Sequence, residues 1–246
     1  MSLVFNDTTT YKGLVQLFER ECGFQRGDVS GDTDKLKEYT VDANLALDDF
    51  TKLAIKSSGT WQFDDSNQSD YPIITTDLVA NQRDYSFTTD GNGNYILEVL
   101  KVLVADSSGV FRELTAVDSQ SSSDTKGYWD GQNTTGTPLT YDKTANSIFL
   151  DPIPSYSYAG GLKVYISREP SYFIYTDTSR VAGVPGIFHK YLALKPAQDY
   201  ARRNNLANQD RIREEVLLLE NEIEKYFALR PRDQRRRLTT THTNNK

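Results

Sequence analysis

The clearest hydrophobic periodicity in the chain lies near its C-terminal end. Apolar residues recur there at steps of three and four, which places them on one face of an amphipathic helix. The residues of this face are Ile212, Val216, Leu219, Ile223 and Tyr226. Leu217 and Leu218 are expected to widen the face, and Pro231 is expected to end the helix because proline disfavours helical geometry in the residue before it. The pattern predicts a long helix that packs against a core along one side.

Helical patterns also occur at the N-terminal end and just before this last helix. A short helix is predicted at residues 8–21, with Gly23 as its stop, and a longer one at residues 34–57. Helical spacing returns after Pro185, where Pro196 is expected to kink or divide the helix. The N- and C-terminal helices are expected to share one bundle, because neither set hides its apolar face well alone.

The middle of the chain has the two-residue period that is typical of strands. Short β-branched or aromatic runs alternate with turn sequences rich in Gly, Asn and Ser, which favour hairpins. Six strands are predicted, at residues 77–87, 95–105, 110–117, 139–141, 147–150 and 162–168. Residues 119–136, which include Tyr128 and Trp129, are interpreted as a long polar loop at the edge of the sheet.

These patterns predict an α+β fold. It consists of an α-helical bundle formed by N- and C-terminal helices, an inserted antiparallel β domain and a flexible C-terminal arm. The expected division is 1–70 for the N-terminal helices of the bundle, 71–182 for the β domain, 183–230 for the C-terminal helices and 231–246 for the extended basic arm. Because the arm has almost no apolar residue to bury, it is expected to be disordered on its own.

Charge divides the chain into two parts. The formal net charge of the 246 residues is -6. From Ala228 onward six basic residues and one acid, Asp233, give +5, so the remainder carries -11. An acidic body is expected to repel nucleic acid, whereas a basic arm favours an acidic surface.

Residues that carry the common catalytic and metal chemistries are scarce. The chain has two His and one Cys, and it has no nucleophile elbow, phosphate-binding glycine loop or zinc motif. His189 is interpreted as a packed or interface residue, and the acid-rich loops at 28–34, 64–70 and 90–94 lack the EF-hand spacing of Gly and Glu. The expectation is therefore a protein without enzymatic activity, cofactor or bound metal.

The lone cysteine, Cys22, favours a reducing compartment, and the N-terminus lacks the pattern of a secretory signal. No apolar run approaches the roughly 20 residues that cross a bilayer. The chain is therefore expected to be made in the cytoplasm and to have no membrane contact.

The order of several motifs resembles one family. The motifs are LVANQRDY at 78–85, GTPLTY at 136–141, IFLDPIP at 148–154, GLKVY at 161–165 and PGIFH at 185–189, followed by Leu192, Leu194, Tyr200 and Ala201. In order and spacing, the chain from about residue 11 to residue 227 resembles the head-to-tail adaptor (connector) proteins of tailed bacteriophages, including the tail adaptors of short-tailed phages. The order of the motifs carries this resemblance more than any single motif does.

The resemblance implies a structural virion protein at the head–tail junction. Such proteins form a homo-oligomeric ring, commonly of twelve copies, which joins the portal protein to tail or nozzle proteins and through which genomic DNA passes. By the same resemblance the arm that docks on the portal contains Arg230, Arg232, Arg235, Arg236, Arg237 and Leu238. The β domain faces the tail components, with Tyr128 and Trp129 on a tail-facing loop.

Two other functions fit parts of the sequence. The aromatic pair Tyr128 and Trp129 could stack on sugar rings, which would make the β domain a module that recognises a glycan or a host surface. The arginine-rich arm could instead bind nucleic acid, with an affinity that falls as salt is added. The cluster of Arg235, Arg236 and Arg237 could also be a solvated tail without a partner.

Overall fold

Helices at both ends of the chain and strands between them make up the structure. This computed structural model describes residues 3–58, 73–118, 134–144 and 146–229. The helices are α1 (Leu14–Cys22), α2 (Thr33–Ser58), α3 (His189–Arg203) and α4 (Gln209–Leu229). The strands are β1 (Ile73–Leu78), β2 (Asp84–Ser86), β3 (Ile96–Ala105), β4 (Phe111–Glu113), β5 (Thr115–Ala116), β6 (Thr135–Gly136), β7 (Thr140–Thr144), β8 (Ser147–Asp151), β9 (Ile153–Pro154) and β10 (Tyr158–Arg168). The α+β class, with strands inserted between helices, is confirmed.

The chain divides into a helical unit and a β unit. The described residues of the helical unit are 3–58, 173–181 and 186–229, and the remaining described residues belong to the β unit. The segment 173–181 falls in the helical unit and not in the β domain where the sequence placed it. Phe173 explains the difference, because its ring lies 4.5 Å from that of Phe5 and its backbone exchanges hydrogen bonds with the side chain of Asn44.

Helix α1 starts later than predicted and stops where predicted. Asp7 accepts hydrogen bonds from the backbone N–H groups of Thr9 and Thr10, at 3.0 and 2.8 Å, and so holds a turn where the sequence indicated helix. At the other end Gly23 has a φ of 77°, and its N–H donates to the carbonyl of Arg20. This left-handed conformation favours glycine, and it ends the helix.

Helix α3 is the central element of the helical unit, in contact with α1, α2 and α4. Its buried residues are Tyr191, Leu192, Ala193, Leu194, Ala197 and Ala201. Pro196 does not divide this helix, which runs without interruption from His189 to Arg203. His189 is fully buried, and its Nδ1 atom accepts a hydrogen bond of 2.8 Å from the backbone N–H of Leu3. The interpretation of His189 as a packed residue agrees with this position.

Glu19 organises the loop between α1 and α2. Its buried carboxylate accepts hydrogen bonds from the backbone N–H groups of Val29 at 2.9 Å, Ser30 at 2.7 Å and Gly27 at 3.3 Å. The loop residues therefore fold around one side chain that is fixed on α1.

Replacing Glu19 with alanine is expected to lower the free energy of unfolding by about 2–3 kcal/mol, because it leaves one buried and two partly buried backbone donors without their acceptor. Urea denaturation measures the change. Glu38→Ala is the matched control, because Glu38 is an exposed glutamate on α2 and its replacement should cost little. Equal losses in the two variants would contradict the role given to Glu19.

The β unit contains two four-stranded sheets and a two-stranded pair. The sheet orders are β1-β10-β3-β4 and β2-β8-β7-β5, with β6 paired to β9. Neighbouring strands are antiparallel except in the short pairs β5–β7 and β6–β9. The two large sheets share one core, which contains Leu78, Val102, Val104, Leu162, Val164 and Ile166 from the first and Tyr85, Tyr141, Ile148 and Leu150 from the second.

The prediction of six strands is therefore wrong in detail. Residues 77–87, predicted as one strand, contain the end of β1 and the whole of β2, which pair in different sheets. Between them Asn81 adopts a φ of 64°, and its N–H donates to the carbonyl of Pro154 at 2.8 Å. A left-handed Asn turns the chain, because its short polar side chain tolerates this conformation.

Candidate interaction surfaces of the helical unit

The residues that the sequence singled out for partner contacts lie outside the described residues. They are Arg230, Arg232, Arg235, Arg236, Arg237 and Leu238 of the arm, and Tyr128 and Trp129 of the β-region loop. Helix α4 ends at Leu229, one residue before the first arginine of the arm. The arm therefore continues in sequence from the last helix of the helical unit.

Helix α4 contacts all three other described helices. Ile212, Val216, Ile223 and Phe227 are buried along its inner side. Ion pairs add contacts along its length, and they are Arg211–Glu21 to α1, Lys56–Glu224 to α2, and Lys190–Glu215 and Lys195–Glu220 to α3. Ion pairs that remain in contact with solvent contribute only about 0.2–1 kcal/mol each, so the apolar contacts supply most of the stability of this packing.

Leu217 and Leu218 point away from the core, which corrects the sequence interpretation that they widen the buried face. Their side chains are 47% and 65% exposed, whereas their neighbour Val216 is buried. Successive helical residues differ by about 100° around the axis, so the two positions after Val216 turn out of the core. Phe227 takes the inner position instead, and Tyr226, predicted to be inside, is partly exposed. Leu217 and Leu218 are called the α4 ridge below.

A cleft of about 730 Å³ opens in the helical unit, and it is called the aromatic cleft below. It is formed by the end of α1, the loop that follows, the N-terminal half of α2 and the C-terminal end of α3. Its apolar lining residues are Phe18, Phe24, Val29, Tyr39, Val41 and Tyr200, and its polar ones are Lys35, Glu38, Asp42, Arg203 and Asn204.

Aromatic packing preforms the floor of the cleft. The rings of Phe18 and Tyr39 have centroids 4.6 Å apart, and those of Phe24 and Tyr200 have centroids 5.0 Å apart. Phe18 also contacts Tyr200 edge-on at 5.9 Å, which links the two pairs. Burial raises the pKa of Tyr39 well above its usual value, so its hydroxyl stays neutral. The floor is therefore an ordered apolar surface, in which Phe18, Val29 and Tyr39 are buried and Phe24 and Tyr200 are partly exposed.

The rim of the cleft carries both signs of charge. Arg203 and Asp42 form an ion pair at 3.0 Å across it, and Lys35 and Glu38 are exposed beside them. The two bases and two acids cancel, so the rim offers no net attraction to a phosphate backbone. An apolar floor with a rim of mixed charge is typical of surfaces that contact another protein.

The polar residues of the cleft lining are Lys, Glu, Asp, Arg and Asn. Its lining contains no His, Cys or Ser. Among the residues that the structure describes, no group of three or more His, Cys, Asp and Glu side chains could hold a metal ion. What the cleft offers is shape and apolar surface, which are features of binding.

Cys22 is expected to be unreactive in the folded protein. It is buried at the end of α1, and burial, with a smaller contribution from Glu21, raises the pKa of its thiol to about 12. The thiolate is the reactive species, so a thiol reagent at pH 8 should modify Cys22 only after unfolding. Titration with and without denaturant measures this, and stoichiometric labelling of the native protein within minutes would contradict it.

Comparison with other proteins leaves the family open. No protein-family model matches the chain, and no curated protein matches it. Among the described helices none is both long and apolar enough to cross a membrane.

The sequence pattern did not reveal the aromatic cleft or the α4 ridge. The cleft combines residues 18–42 with residues 200–204, which lie far apart in the chain. A local signal did exist on α2, where Val41 and Leu45 interrupt an otherwise charged outer face and are both exposed. Val41 lies on the rim of the cleft, so an exposed apolar residue on the charged face of α2 marked one edge of the cleft.

Proposed function

We propose that this chain is a non-enzymatic structural protein of a tailed-phage virion: a ring-forming head-to-tail adaptor. In this role it docks on the portal vertex, links the portal to tail or nozzle proteins and lines the channel through which DNA passes. It would be made in the host cytoplasm and act at the head–tail junction.

The observation that carries the proposal is the construction of the helical unit. Helices from both ends of the chain form it, strands are inserted between them, and α4 leads directly into the basic arm. This arrangement agrees with the expectation drawn from the order of the sequence motifs. Because α4 contacts the three other helices, it holds the start of the arm in a defined position from which the arm can reach a partner.

The division of charge supports the channel role. The chain up to residue 227 carries a net charge of -11, against +5 for the remainder. An acidic wall repels the phosphate backbone, so passing DNA would not adhere to it. The proposal therefore expects the body to have little affinity for duplex DNA.

The arginines of the arm suit docking on a protein. A guanidinium group forms paired hydrogen bonds with a carboxylate, and the arm has five arginines between residues 230 and 237. Arms that belong to one ring also bind together, which multiplies a modest affinity per arm.

Mass photometry of the protein, alone and mixed with its cognate portal protein, tests this function. The expected result is a complex that contains the portal ring and several copies of this chain, commonly twelve by the resemblance. A protein that leaves the portal mass unchanged at micromolar concentration would contradict the proposal. A species formed with duplex DNA but not with the portal would favour nucleic-acid binding instead.

A further inference from the structure

We propose that the peptide bond between Asn92 and Gly93 in the β unit is a site of spontaneous deamidation, at which Asn92 is converted to a mixture of aspartate and isoaspartate. Both residues are exposed, in the turn that leads into β3. The inference is independent of the adaptor function, because it concerns the covalent chemistry of one loop.

The reaction needs only these two residues, hydroxide and water. Hydroxide takes the proton of the Gly93 backbone nitrogen, which then attacks the side-chain carbonyl carbon of Asn92 and closes a five-membered succinimide ring. The bond from this carbon to the side-chain nitrogen breaks, and the nitrogen leaves as ammonia with a proton from water. Addition of water at one ring carbonyl gives aspartate, and addition at the other gives isoaspartate, in which the backbone runs through the side chain.

Gly93 removes the usual steric obstacle to ring closure. Asn92 is the only asparagine of the chain that is followed by glycine, and a side chain on the following residue would crowd the attacking nitrogen. Its chain neighbours apart, no heavy atom of the described residues lies within 4 Å of the place where a Cβ atom of Gly93 would stand. The peptide therefore has open space in which to rotate towards the Asn92 side chain.

The loop holds one of its two asparagines and leaves the other free. The side-chain amide of Asn94 donates to Asp90 Oδ2 at 2.9 Å, and Tyr95 follows it in sequence. Asn92 donates to Asp90 Oδ1 at 2.8 Å through its backbone N–H, but its side-chain amide forms no hydrogen bond within the described ranges. The structure therefore favours Asn92 over Asn94 as the reacting residue.

One hydrogen bond of the folded loop opposes the reaction directly. The Gly93 N–H donates to the carbonyl of Asp90 at 3.1 Å, and the nitrogen cannot attack while this bond is held. Loss of a single local hydrogen bond reduces the population of reactive conformers by only about 2- to 10-fold. The folded protein is therefore expected to react at Asn92 within about tenfold of the rate of an unstructured peptide.

The modification acts on the buried ion pair between Asp90 and Arg168. The Asp90 side chain is 8% exposed, and its Oδ1 atom accepts from the backbone N–H groups of Asn92 and Asn94, one on each side of the reacting peptide. Isoaspartate inserts one more backbone atom between these two donors, so they no longer both fit the carboxylate. A buried carboxylate that loses a donor is destabilised, so the isoaspartyl form should unfold at a lower urea concentration.

Incubation of the full-length protein at pH 8.5, followed by tryptic digestion and mass spectrometry, tests the site. The tryptic peptide 84–101 contains both Asn92 and Asn94, so the two residues are compared within one molecule. Fragmentation by electron transfer distinguishes isoaspartate from aspartate. We expect both products at Asn92, at a rate within about tenfold of that in a synthetic peptide of residues 84–101. Asn94 of the folded protein should stay unmodified over the same period.

Asn92→Gln is the matched control, because glutamine keeps the amide and the charge but must close a six-membered ring, which forms far more slowly. Asn92 is exposed and its side chain is free, so this variant should fold like the wild type, which thermal unfolding verifies. After incubation, the wild type should have a lower urea midpoint than before, and the midpoint of Asn92→Gln should not change.

Conversion of Asn92 in the folded protein more than about tenfold slower than in the peptide would overturn the inference. Equal conversion of Asn94 would also overturn it, because the free side chain of Asn92 would then confer no advantage. Aspartate without isoaspartate would reject the succinimide route. A converted protein with an unchanged urea midpoint would support the site and reject its effect on the Asp90–Arg168 pair.

Discussion

Replacing Arg168 with alanine is expected to lower the free energy of unfolding by about 3–5 kcal/mol. The Arg168 and Asp90 side chains are 3% and 8% exposed and form an ion pair at 3.2 Å. Arg168 also donates to the carbonyl of Glu169 and to the hydroxyl of Ser171. Its removal leaves a buried carboxylate without its cation, and chemical denaturation followed by fluorescence measures the cost.

Arg112→Ala is the matched control for this prediction. Arg112 pairs with Asp106 in the same unit at 3.3 Å, but its side chain is 64% exposed. Solvent screens such a pair, so the expected loss is about 0.2–1 kcal/mol. If the two variants lose the same stability, burial does not determine the strength of these pairs.

The same ion pair predicts how stability depends on pH. Burial by itself would raise the pKa of Asp90, but hydrogen bonds from Asn94 and Asn92, together with the charge of Arg168, hold that pKa below its usual value of 3.8. A lowered carboxylate pKa contributes stability that is present above the unfolded value and is lost as the pH falls through the folded value. Denaturation at pH 6, 4 and 3 should therefore show a smaller decline in Arg168→Ala than in the wild type.

The second large effect is expected in the arm. Replacing Arg235, Arg236 and Arg237 with glutamine should weaken binding to the portal by at least about 100-fold, because the arms of one ring bind together and the loss per arm is multiplied. Mass photometry at a series of concentrations measures the change. The prediction follows from the proposed adaptor function and concerns residues outside the described ones.

A control with the same change in net charge separates docking from general electrostatics. Lys37, Lys52 and Arg202 are exposed on the helical unit, and glutamine at all three also removes three positive charges. This variant should bind the portal like the wild type. Equal weakening in both variants would mean that the arm has no specific role, and wild-type binding by the arm variant would place docking elsewhere.

The sequence predicted where the helices of the helical unit begin and end better than it predicted which of their residues are buried. Apolar spacing located α2 to within a residue at each end, and Gly23 marked the stop of α1 because its left-handed conformation is a local property. The assignment of Leu217 and Leu218 to the buried face was wrong, because a run of four apolar residues extends past the inner side of a helix. Only the packing against α2 and α3 decides which members of such a run are buried.

The strands and the cleft depend on contacts between distant residues. The split of residues 77–87 between two sheets follows from the pairing of β1 with β10 and of β2 with β8, which are more than 60 residues away in the chain. The aromatic cleft requires Phe18 and Tyr200 to meet, with the β unit between them in sequence. No local pattern encodes such a meeting, so periodicity alone could not predict it.

The same separation has a consequence for synthesis on the ribosome. Phe18 emerges early and Tyr200 late, so a nascent chain cannot close the aromatic cleft until translation is nearly finished. The α4 ridge emerges later still. A prematurely terminated product that ends within the strands therefore lacks α3 and α4, the helices against which α1 and α2 pack.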